Sequence, residues 1–434
     1  MLDLFYVSPF LDMDLSYIAG ICYNRNMNQV NSVSRKQKKS LYYVDLQILI
    51  PYLALSIIGL IMVYSTTSSF QIQNGGRPVQ PLIMQFIFWV LSLFSMYVLY
   101  RMSHQWLKET KAPVRMLIAL SLLLVIARFV PGAMFAPRNG AYGWISLGPV
   151  TLQPAEYIKF FMIWYLASYF YNQQENIYWY DHKALTTGSM LQTDWRLLVL
   201  SVIASIVILP DFGNASIVLL EVIILFCVSG VSRRWFSVLL SSVVGIAVVG
   251  IATIAIVGPN TLQKIPGIGY TASRFSAFLN PLKDETGAGT QLLHSHYAMV
   301  NGGWTGRGLG NSIEKNGFLP EAHTDFAFSI TMEELGLIGA ILILGLLFYM
   351  IMRLLIAGIN AKDSFNGMIL LGVAGFLLIQ TFINIGGISG LIPATGVTFP
   401  FLSQGGNSLL TISAAIGLAL SVEATETRLA EEGV

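Results

Sequence analysis

Most side chains that could act in catalysis or bind an anion lie in one polar segment, residues 258–325. Its candidate groups are Arg274, Asp284, Glu285, Gln291, His294, His296, His323 and Asp325. A carboxylate can accept a proton from a hydroxyl group, and an arginine can neutralise a developing anion. The alternative is a solvated loop whose glycines form turns. Such a loop has no need to collect carboxylates, histidines and aromatic residues between two apolar stretches.

Familiar catalytic and metal-binding motifs are absent from the sequence. The glycine-rich stretch 301–310 lacks the Gly-Lys-Ser/Thr ending of a P-loop, and the histidines lack metalloprotease spacing. No Gly-x-Ser-x-Gly motif occurs. The two cysteines, Cys22 and Cys227, have neither zinc-type spacing nor the pattern of a disulfide framework.

A second polar group lies at the start of an apolar stretch. Glu156 and Lys159 are three residues apart and therefore share one face of a helix that begins near Pro154. They form either an internal ion pair or a cationic site that meets an anionic head group in a cavity. Intramembrane charge is costly enough to favour a function. Glu221 raises the same question, and we expect it to be a satisfied structural residue.

The segment 388–408 contains too many prolines and glycines for one regular helix. Irregular backbone at membrane depth is tolerated only where it is buried in protein or lines a wet cavity. We therefore predict a re-entrant or cavity-lining segment, with simple packing between helices as the alternative.

The chain carries too little charge for a soluble protein. Of its 434 residues, 11% are Asp, Glu, Lys or Arg and 54% are hydrophobic, whereas soluble domains contain about 25% charged residues. Long uncharged stretches, rather than short alternating ones, indicate membrane-spanning helices. We therefore predict an all-α polytopic integral membrane protein. The net charge of +2 indicates no nucleic-acid partner.

About ten stretches can cross a bilayer, which takes about 20 apolar residues each. We place them at residues 45–66, 82–100, 114–131, 153–171, 195–210, 213–230, 235–257, 326–352, 366–386 and 405–422. Lys and Arg concentrate in the loops of one side, which predicts that both termini are cytoplasmic. The segment 258–325 is then a large extracellular loop between the seventh and eighth helices.

This pattern divides the chain into three regions. We predict a cytoplasmic N-terminal tail at residues 1–42, a transmembrane domain at 43–422 and a cytoplasmic C-terminal tail at 423–434. No signal peptide is evident, and we interpret residues 1–26 as a mobile tail or an over-extended gene start.

Sequence blocks spread over residues 43–422 together resemble those of the SEDS family (shape, elongation, division and sporulation). In chain order they are Val63-Tyr-Ser-Thr66, Gly140-Ala-Tyr-Gly-Trp-Ile145, Gln153-Pro-Ala-Glu-x-x-Lys159, Pro210-Asp-Phe-Gly-Asn-Ala215, Asn280-Pro-x-x-Asp284, Gly306-x-Gly-Leu-Gly-Asn-Ser312, Leu319-Pro-Glu-Ala-His-Thr-Asp-Phe326, Glu333-Glu-Leu-Gly336 and Pro400-Phe-Leu-Ser-Gln-Gly-Gly406. The block at 319–326 is more similar to the cell-division branch than to the elongation branch. The Gln404-Gly-Gly-Asn407 ending is similar to members from Gram-positive cocci and lactobacilli. Gly143 and Leu282 depart from the residues common in the family.

The resemblance implies a peptidoglycan glycosyltransferase of the cell membrane, acting at the division septum. Such proteins polymerise lipid II, a disaccharide-pentapeptide on undecaprenyl diphosphate, beside a class B penicillin-binding protein and other divisome membrane proteins. By the same resemblance Asp284 is the catalytic carboxylate, and a divalent cation (Mg²⁺ or Mn²⁺) assists, with no organic cofactor. The candidate substrate-binding residues are Glu156, Lys159, Arg274, Gln291, His323, Asp325, Ser403 and Gln404. Lys159 and Arg274 are the candidates for the diphosphate.

The expected chemistry is a single inverting displacement, because lipid II carries an α-linked diphosphate and the product is β-linked. One base and a good leaving group suffice. Two other functions remain open. A lipid II flippase would use the same cavity without needing Asp284 specifically, and a scaffold that activates the penicillin-binding protein would need no catalytic carboxylate.

Overall fold

The computed structural model of the chain describes residues 43–73, 75–130, 143–148, 150–174, 194–230, 269–283 and 287–431, with isolated positions between 237 and 252. The helices are α1 (Leu46–Gln73), α2 (Gln80–Tyr100), α3 (His104–Leu107), α4 (Lys111–Phe129), α5 (Pro154–Asn172), α6 (Asp194–Val207), α7 (Phe212–Val228), α8 (Gly269–Leu279), α9 (Ala288–Gly302), α10 (Ala327–Asn360), α11 (Ser364–Ile388) and α12 (Gly406–Glu431). A short 3₁₀ turn covers Pro281–Lys283, and an antiparallel hairpin joins β1 (Ile145–Leu147) to β2 (Val150–Leu152). The all-α membrane fold is thus confirmed.

Six of the described helices are long and apolar enough to cross a membrane: α1, α2, α4, α10, α11 and α12. The helices α6 and α7 are shorter apolar segments, and α5 begins at Pro154, as its position in the sequence predicts. The seventh predicted helix, 235–257, lies outside the described ranges apart from isolated positions.

Two helices form the centre of the bundle. Of the most apolar 18-residue stretch of each helix, 78% is buried inside the protein in α11 and 89% in α12, against 11% in α2. The helices α2 and α12 cross closely, since a Cβ at Gly417 would lie 2.6 Å from the carbonyl oxygen of Met96. The outer face of α2 is therefore available to lipid, whereas α11 and α12 hold the other helices together.

The last helix continues to Glu431, although the sequence predicts its end at 422. Its final turns carry carboxylates that find partners on other helices. Glu423 accepts a hydrogen bond from Arg353 of α10 at 2.9 Å, and Glu426 accepts one from the side-chain amide of Asn366 at 2.7 Å. These contacts hold the polar end of α12 against the bundle, which a count of apolar residues does not detect.

The helix α10 is broken at Gly336, whose φ of +70° and ψ of −178° are not helical. The break leaves backbone carbonyl groups of α10 without intrahelical hydrogen-bond partners. Backbone N–H groups of a glycine-rich turn bind them instead. The backbone N–H groups of Arg307 and Gly308 donate to the carbonyl oxygens of Glu333 and Glu334, both at 2.9 Å. The glycines permit this approach, because a Cβ at Gly336 would lie 2.3 Å from the backbone nitrogen of Gly306.

The predicted large loop is partly helical, since α8 and α9 lie within it. The segment after α11 is irregular, as its prolines and glycines predict, and much of it is buried. Phe399 and Leu402 are almost wholly enclosed. The carbonyl oxygen of Phe401 lies so close to α1 that a Cβ at Gly59 would be 2.1 Å from it. Residues 399–402 thus pack inside the protein, while residues 394–397 line a cleft.

Candidate active site

Arg274 of α8 is the cation of the candidate site. Its guanidinium donates one hydrogen bond to the carbonyl oxygen of Ala394 at 3.0 Å and another to Oδ2 of Asp325 at 3.4 Å. Both charged side chains are mostly buried, with 11% and 18% of their surface exposed. Asp325 lies in the turn before α10, so the pair joins α8, that turn and the segment between α11 and α12. Two sequence-predicted residues are therefore in contact.

An open cleft of about 200 Å³ lies beside this pair. Its walls are Asp325 and Phe326, the end of α11 and residues 394–397. Asn384 of α11 joins two of these walls, because its side-chain amide donates to the carbonyl oxygens of Asp325 at 2.8 Å and Val397 at 2.7 Å. The turn before α10, the end of α11 and the segment between α11 and α12 are thus held together around the cleft.

Gly396 brings the backbone up to the guanidinium. Its φ is +80°, and a Cβ there would lie 2.9 Å from Nη1 of Arg274 and 3.4 Å from Oδ2 of Asp325. Any other residue would be strained and would crowd the ion pair. Sequence reasoning missed this position, although the Ala-Thr-Gly-Val run inside a non-helical segment was a signal.

Three more predicted site residues lie together beside the cleft. The ring of His323 stacks against Phe70 with centroids 5.8 Å apart. The backbone nitrogen of Gln404 donates to the carbonyl oxygen of His323 at 2.8 Å, and Oγ of Ser403 donates to that of Thr324 at 2.6 Å. The structure thus brings the sequence blocks 319–326 and 400–406 into direct contact.

Burial sets the protonation behaviour of the two titratable groups before α10. Burial raises the pKa of Asp325 above its usual range; the guanidinium of Arg274 opposes this shift, and the charges of Glu321 and Asp211 add to it. Burial lowers the pKa of His323, with Glu321 acting in the opposite direction. His323 is therefore a neutral imidazole at pH 7, and Asp325 takes up a proton more readily than an exposed aspartate does.

Asp211 is a further carboxylate near the cleft that sequence reasoning did not assign to the site. It caps α7, accepting hydrogen bonds from the backbone and side-chain nitrogens of Asn214 at 3.1 and 2.8 Å. The neighbouring Gly213 lies against the cleft wall, since a Cβ there would be 2.7 Å from the carbonyl oxygen of Thr395. The Pro210-Asp-Phe-Gly block was the available signal.

Glu156 and Lys159 lie away from the cleft lining. Lys159 Nζ is 2.8 Å from Oε1 of Glu156, and the lysine side chain has no exposed surface. The internal ion pair is thus present, and in this conformation a diphosphate does not reach Lys159. Its role towards the diphosphate stays a prediction.

Glu221 differs from its prediction as a satisfied structural residue. It is 2% exposed, and neither carboxylate oxygen has a hydrogen-bond partner among the described residues. The prediction was wrong because no described side chain or backbone group donates to this carboxylate.

The remaining predicted site residues are Gln291 and Asp284, which lie seven positions apart in the sequence. Gln291 is in the first turn of α9 and half-buried. Asp284 lies outside the described residues, as does Glu285. The catalytic assignment of Asp284 therefore rests on the family resemblance.

The described ranges contain no group of three or more His, Cys, Asp or Glu side chains arranged to hold a metal ion. Glu321 and Asp211 act electrostatically on Asp325 without forming such a group with it. The described residues therefore do not fit a metal site.

Comparison with known proteins identifies the family. The family model described as cell cycle protein, FtsW/RodA/SpoVE, matches residues 46–428. The chain belongs to this family, which is the SEDS family indicated by its sequence blocks. It is 47% identical over 393 residues to the "Probable peptidoglycan glycosyltransferase FtsW" of Lactococcus lactis subsp. lactis, covering 89% of this chain and 94% of the relative. It is 32% identical over 378 residues to the stage V sporulation protein E of Bacillus subtilis, with 87% and 96% covered.

Solved structures share the fold of this SEDS protein. One is described as "Structural coordination of polymerization and crosslinking by a peptidoglycan synthase complex", with a TM-score of 0.65, 26% identity, and 88% of this chain and 98% of that chain covered. The rod shape determining protein RodA of Thermus thermophilus matches with a TM-score of 0.58 and 23% identity, with 88% and 97% covered. The second likeness concerns the fold alone.

Proposed function

We propose that this protein is a peptidoglycan glycosyltransferase that polymerises lipid II into glycan strands at the outer face of the membrane during septal cell-wall synthesis. The observation that carries the proposal is the 47% identity, along nearly the whole of both chains, to a protein named for that activity. The cleft beside Arg274 supports it, because a mostly buried arginine next to an open cleft suits the diphosphate of such a substrate.

In the proposed reaction, the hydroxyl group of one sugar attacks the anomeric carbon of another. The new C–O bond forms as the bond to the lipid diphosphate breaks, and the configuration inverts. Asp284 accepts the hydroxyl proton, and the diphosphate leaves with the bonding electron pair. The positive charge of Arg274 stabilises that developing anion, which matters most in a partly dry site.

Asp325 and Asn384 act as positioning residues in this proposal. Asp325 fixes one edge of the Arg274 guanidinium, and the carbonyl oxygen of Ala394 fixes another. Asn384 holds the turn before α10 at a set distance from the cleft wall. A preorganised cation stabilises charge without having to move during the reaction.

The proposed partner is a class B penicillin-binding protein that crosslinks the new strands, together with other divisome membrane proteins at the septum. The solved complex that this chain resembles is described as coordinating polymerization and crosslinking, and its 26% identity supports a partner of that kind. A divalent cation, Mg²⁺ or Mn²⁺, belongs to the proposal as well, as the family resemblance implies.

The test is lipid II polymerisation in detergent by the purified protein with its cognate class B penicillin-binding protein and divalent cation. Asp284→Asn removes the proposed base and is expected to lower the rate by about 100-fold or more. Glu285→Gln is the matched control, because it removes the neighbouring carboxylate, and it should polymerise like the wild type. A parallel reaction with a chelator of divalent cations tests whether polymerisation requires the cation.

Three results would overturn parts of the proposal. If folded, partner-bound Asp284→Asn polymerises like the wild type, Asp284 is not the base. If the wild type makes no polymer with a verified partner, lipid II transport or scaffolding replaces the polymerase activity. Transport of labelled lipid II in vesicles then separates those two alternatives. Full activity in the presence of the chelator would show that the reaction requires no divalent cation.

A further inference from the structure

Three charged side chains meet inside the helix bundle, away from the cleft lining. Glu156 and Lys159 are on α5, and Glu221 is on the neighbouring helix α7. Their exposed fractions are 6%, 0% and 2%. The charges that act on Glu221 are those of Lys159 and Glu156. We call these three residues the Glu156–Lys159–Glu221 cluster.

The hydrogen bonds of this cluster are incomplete. Oε1 of Glu156 lies 2.8 Å from Nζ of Lys159, an ion-pair contact without hydrogen-bond geometry. Oε2 of Glu156 and both carboxylate oxygens of Glu221 also have no hydrogen-bond partner among the described residues. On its other side the ammonium group faces the ring of Phe376, 5.6 Å from the centroid. Native proteins rarely leave several buried polar atoms unpaired without a reason.

The charge of the cluster does not balance either. Two carboxylates and one ammonium leave one negative charge if all three groups are ionised. Among the described residues, Lys159 is the cation whose charge acts on Glu221. The packed helix α11 contains no charged residue, and Arg196 of α6 lies against the ring of Trp195. An uncompensated charge in a low-dielectric interior is strongly unfavourable, so such a site takes up a positive species.

The surrounding packing excludes a hydrated metal ion. A Cβ at Gly372 would lie 2.8 Å from Ile163, and one at Gly375 would lie 2.7 Å from Ile224. These contacts show that α11 is packed tightly against α5 and α7. A metal ion would also need several oxygen ligands and would be repelled by the ammonium group. A proton needs no added volume.

We propose that the Glu156–Lys159–Glu221 cluster is a proton-binding site that holds one proton at neutral pH, on the carboxyl group of Glu221. Glu156 already pairs with Lys159. The protonated Glu221 is then a neutral carboxylic acid inside the membrane-embedded bundle. This inference does not depend on the proposed polymerase activity.

Infrared difference spectroscopy of the purified protein at neutral pH tests the proposal directly. A protonated carboxylic acid has a C=O stretch that is separate from the carboxylate and amide bands. The spectrum of the wild type minus that of Glu221→Gln is expected to contain this band. Glu109→Gln, which replaces an exposed carboxylate, is the control and should leave the band unchanged.

Two further variants distinguish a shared proton from an ordinary buried acid. In Glu156→Gln the band should disappear, because Glu221 can then ionise as the sole partner of Lys159. In Lys159→Met the band should about double, because two carboxyl groups then lack a cation and both take up protons. Size-exclusion chromatography checks the folding of each variant.

The absence of a carboxylic acid band in the wild-type minus Glu221→Gln spectrum would overturn the proposal. A band that survives in Glu156→Gln would also overturn it, because the proton would then not depend on the charge balance of the cluster. If Glu221→Gln does not fold, the Lys159→Met variant decides. A carboxylic acid band of the same intensity as in the wild type would then overturn the proposal.

Discussion

Among the described residues, two buried lysine–glutamate clusters differ in how fully their polar atoms are paired. At Lys315, Nζ contacts Oε1 of Glu334 at 2.6 Å and Oγ of Ser65 at 3.0 Å. The Ser65 hydroxyl donates to the same carboxylate, with oxygen–oxygen distances of 2.7 and 2.6 Å. In the Glu156–Lys159–Glu221 cluster, one carboxyl group has no hydrogen-bond partner at all.

The difference shows that the burial of a charged side chain does not by itself indicate its role. Lys315 and Glu334 pair one cation with one carboxylate, and with Ser65 they join α1, α10 and the turn after the glycine-rich stretch beside the break in α10. The Glu156–Lys159–Glu221 cluster contains one carboxyl group more than it has cations. Both clusters sit in family sequence blocks or beside them, and only the atom-by-atom pairing separates an anchor from a proton site.

A matched pair of substitutions tests this comparison and has the largest expected effect. Glu334→Gln leaves the Lys315 ammonium buried without a counter-charge, which should cost about 3–5 kcal/mol of stability. Glu221→Gln replaces a neutral acid by a neutral amide of the same shape and should cost almost nothing. Thermal unfolding in detergent measures both. Equal losses in the two variants would break the distinction between the clusters.

Gly336→Ala should produce the next largest loss. A φ of +70° with a ψ of −178° belongs to a region that only glycine occupies readily, which costs about 1–3 kcal/mol for other residues. The new Cβ would also press on the turn at Gly306. Gly345→Ala is the control on the same helix, because nothing lies within 4 Å of a Cβ there. A wild-type melting temperature for Gly336→Ala would show that the break in α10 is not fixed by this glycine.

The smallest predicted effect concerns acid stability at the opposite end of the bundle. Burial tends to raise the pKa of Asp363, but hydrogen bonds from His104 and Lys108 and the charge of Lys108 outweigh it and hold the pKa below its usual range. A carboxylate with a depressed pKa contributes stability above its unfolded pKa of about 3.9, and this contribution is lost as the pH falls through the folded pKa.

Asp363→Asn should therefore lower stability by on the order of 1 kcal/mol at neutral pH, and the difference from the wild type should shrink in acid. The free energy of unfolding of both proteins, measured at neutral pH and at a pH below the pKa of an ordinary aspartate, tests this. A difference that stays constant with pH would mean that the ion pair contributes nothing.

The sequence predicted the helices well but not the details that make a site. Apolar stretches predicted the helix positions because burial in lipid or protein requires them. The extension of α12 to Glu431 depends on Arg353 and Asn366, which are distant in the sequence. Likewise, α8 and α9 are short helices whose polar faces resemble a loop in composition.

The candidate site was predicted in part. The sequence predicted Arg274, Asp325, His323, Ser403 and Gln404 as substrate-binding residues, and the structure brings them to one end of the bundle. The sequence did not indicate Gly396 or Asn384, whose roles arise from a close backbone approach and from carbonyl groups in other segments. Nor could the sequence reveal that Glu221 lacks a partner, because that depends on what α5 and α11 present to it.

The most direct test of the account compares a cleft variant with a buried-cluster variant in lipid II polymerisation. Asp325→Asn should lower the rate by about 10- to 100-fold through misplacement of Arg274, measured on protein that is shown to be folded. Glu221→Gln should leave both the rate and the melting temperature as in the wild type. A wild-type rate for Asp325→Asn, or a lost rate in folded Glu221→Gln, would contradict the claim that the cleft beside Arg274 carries the activity.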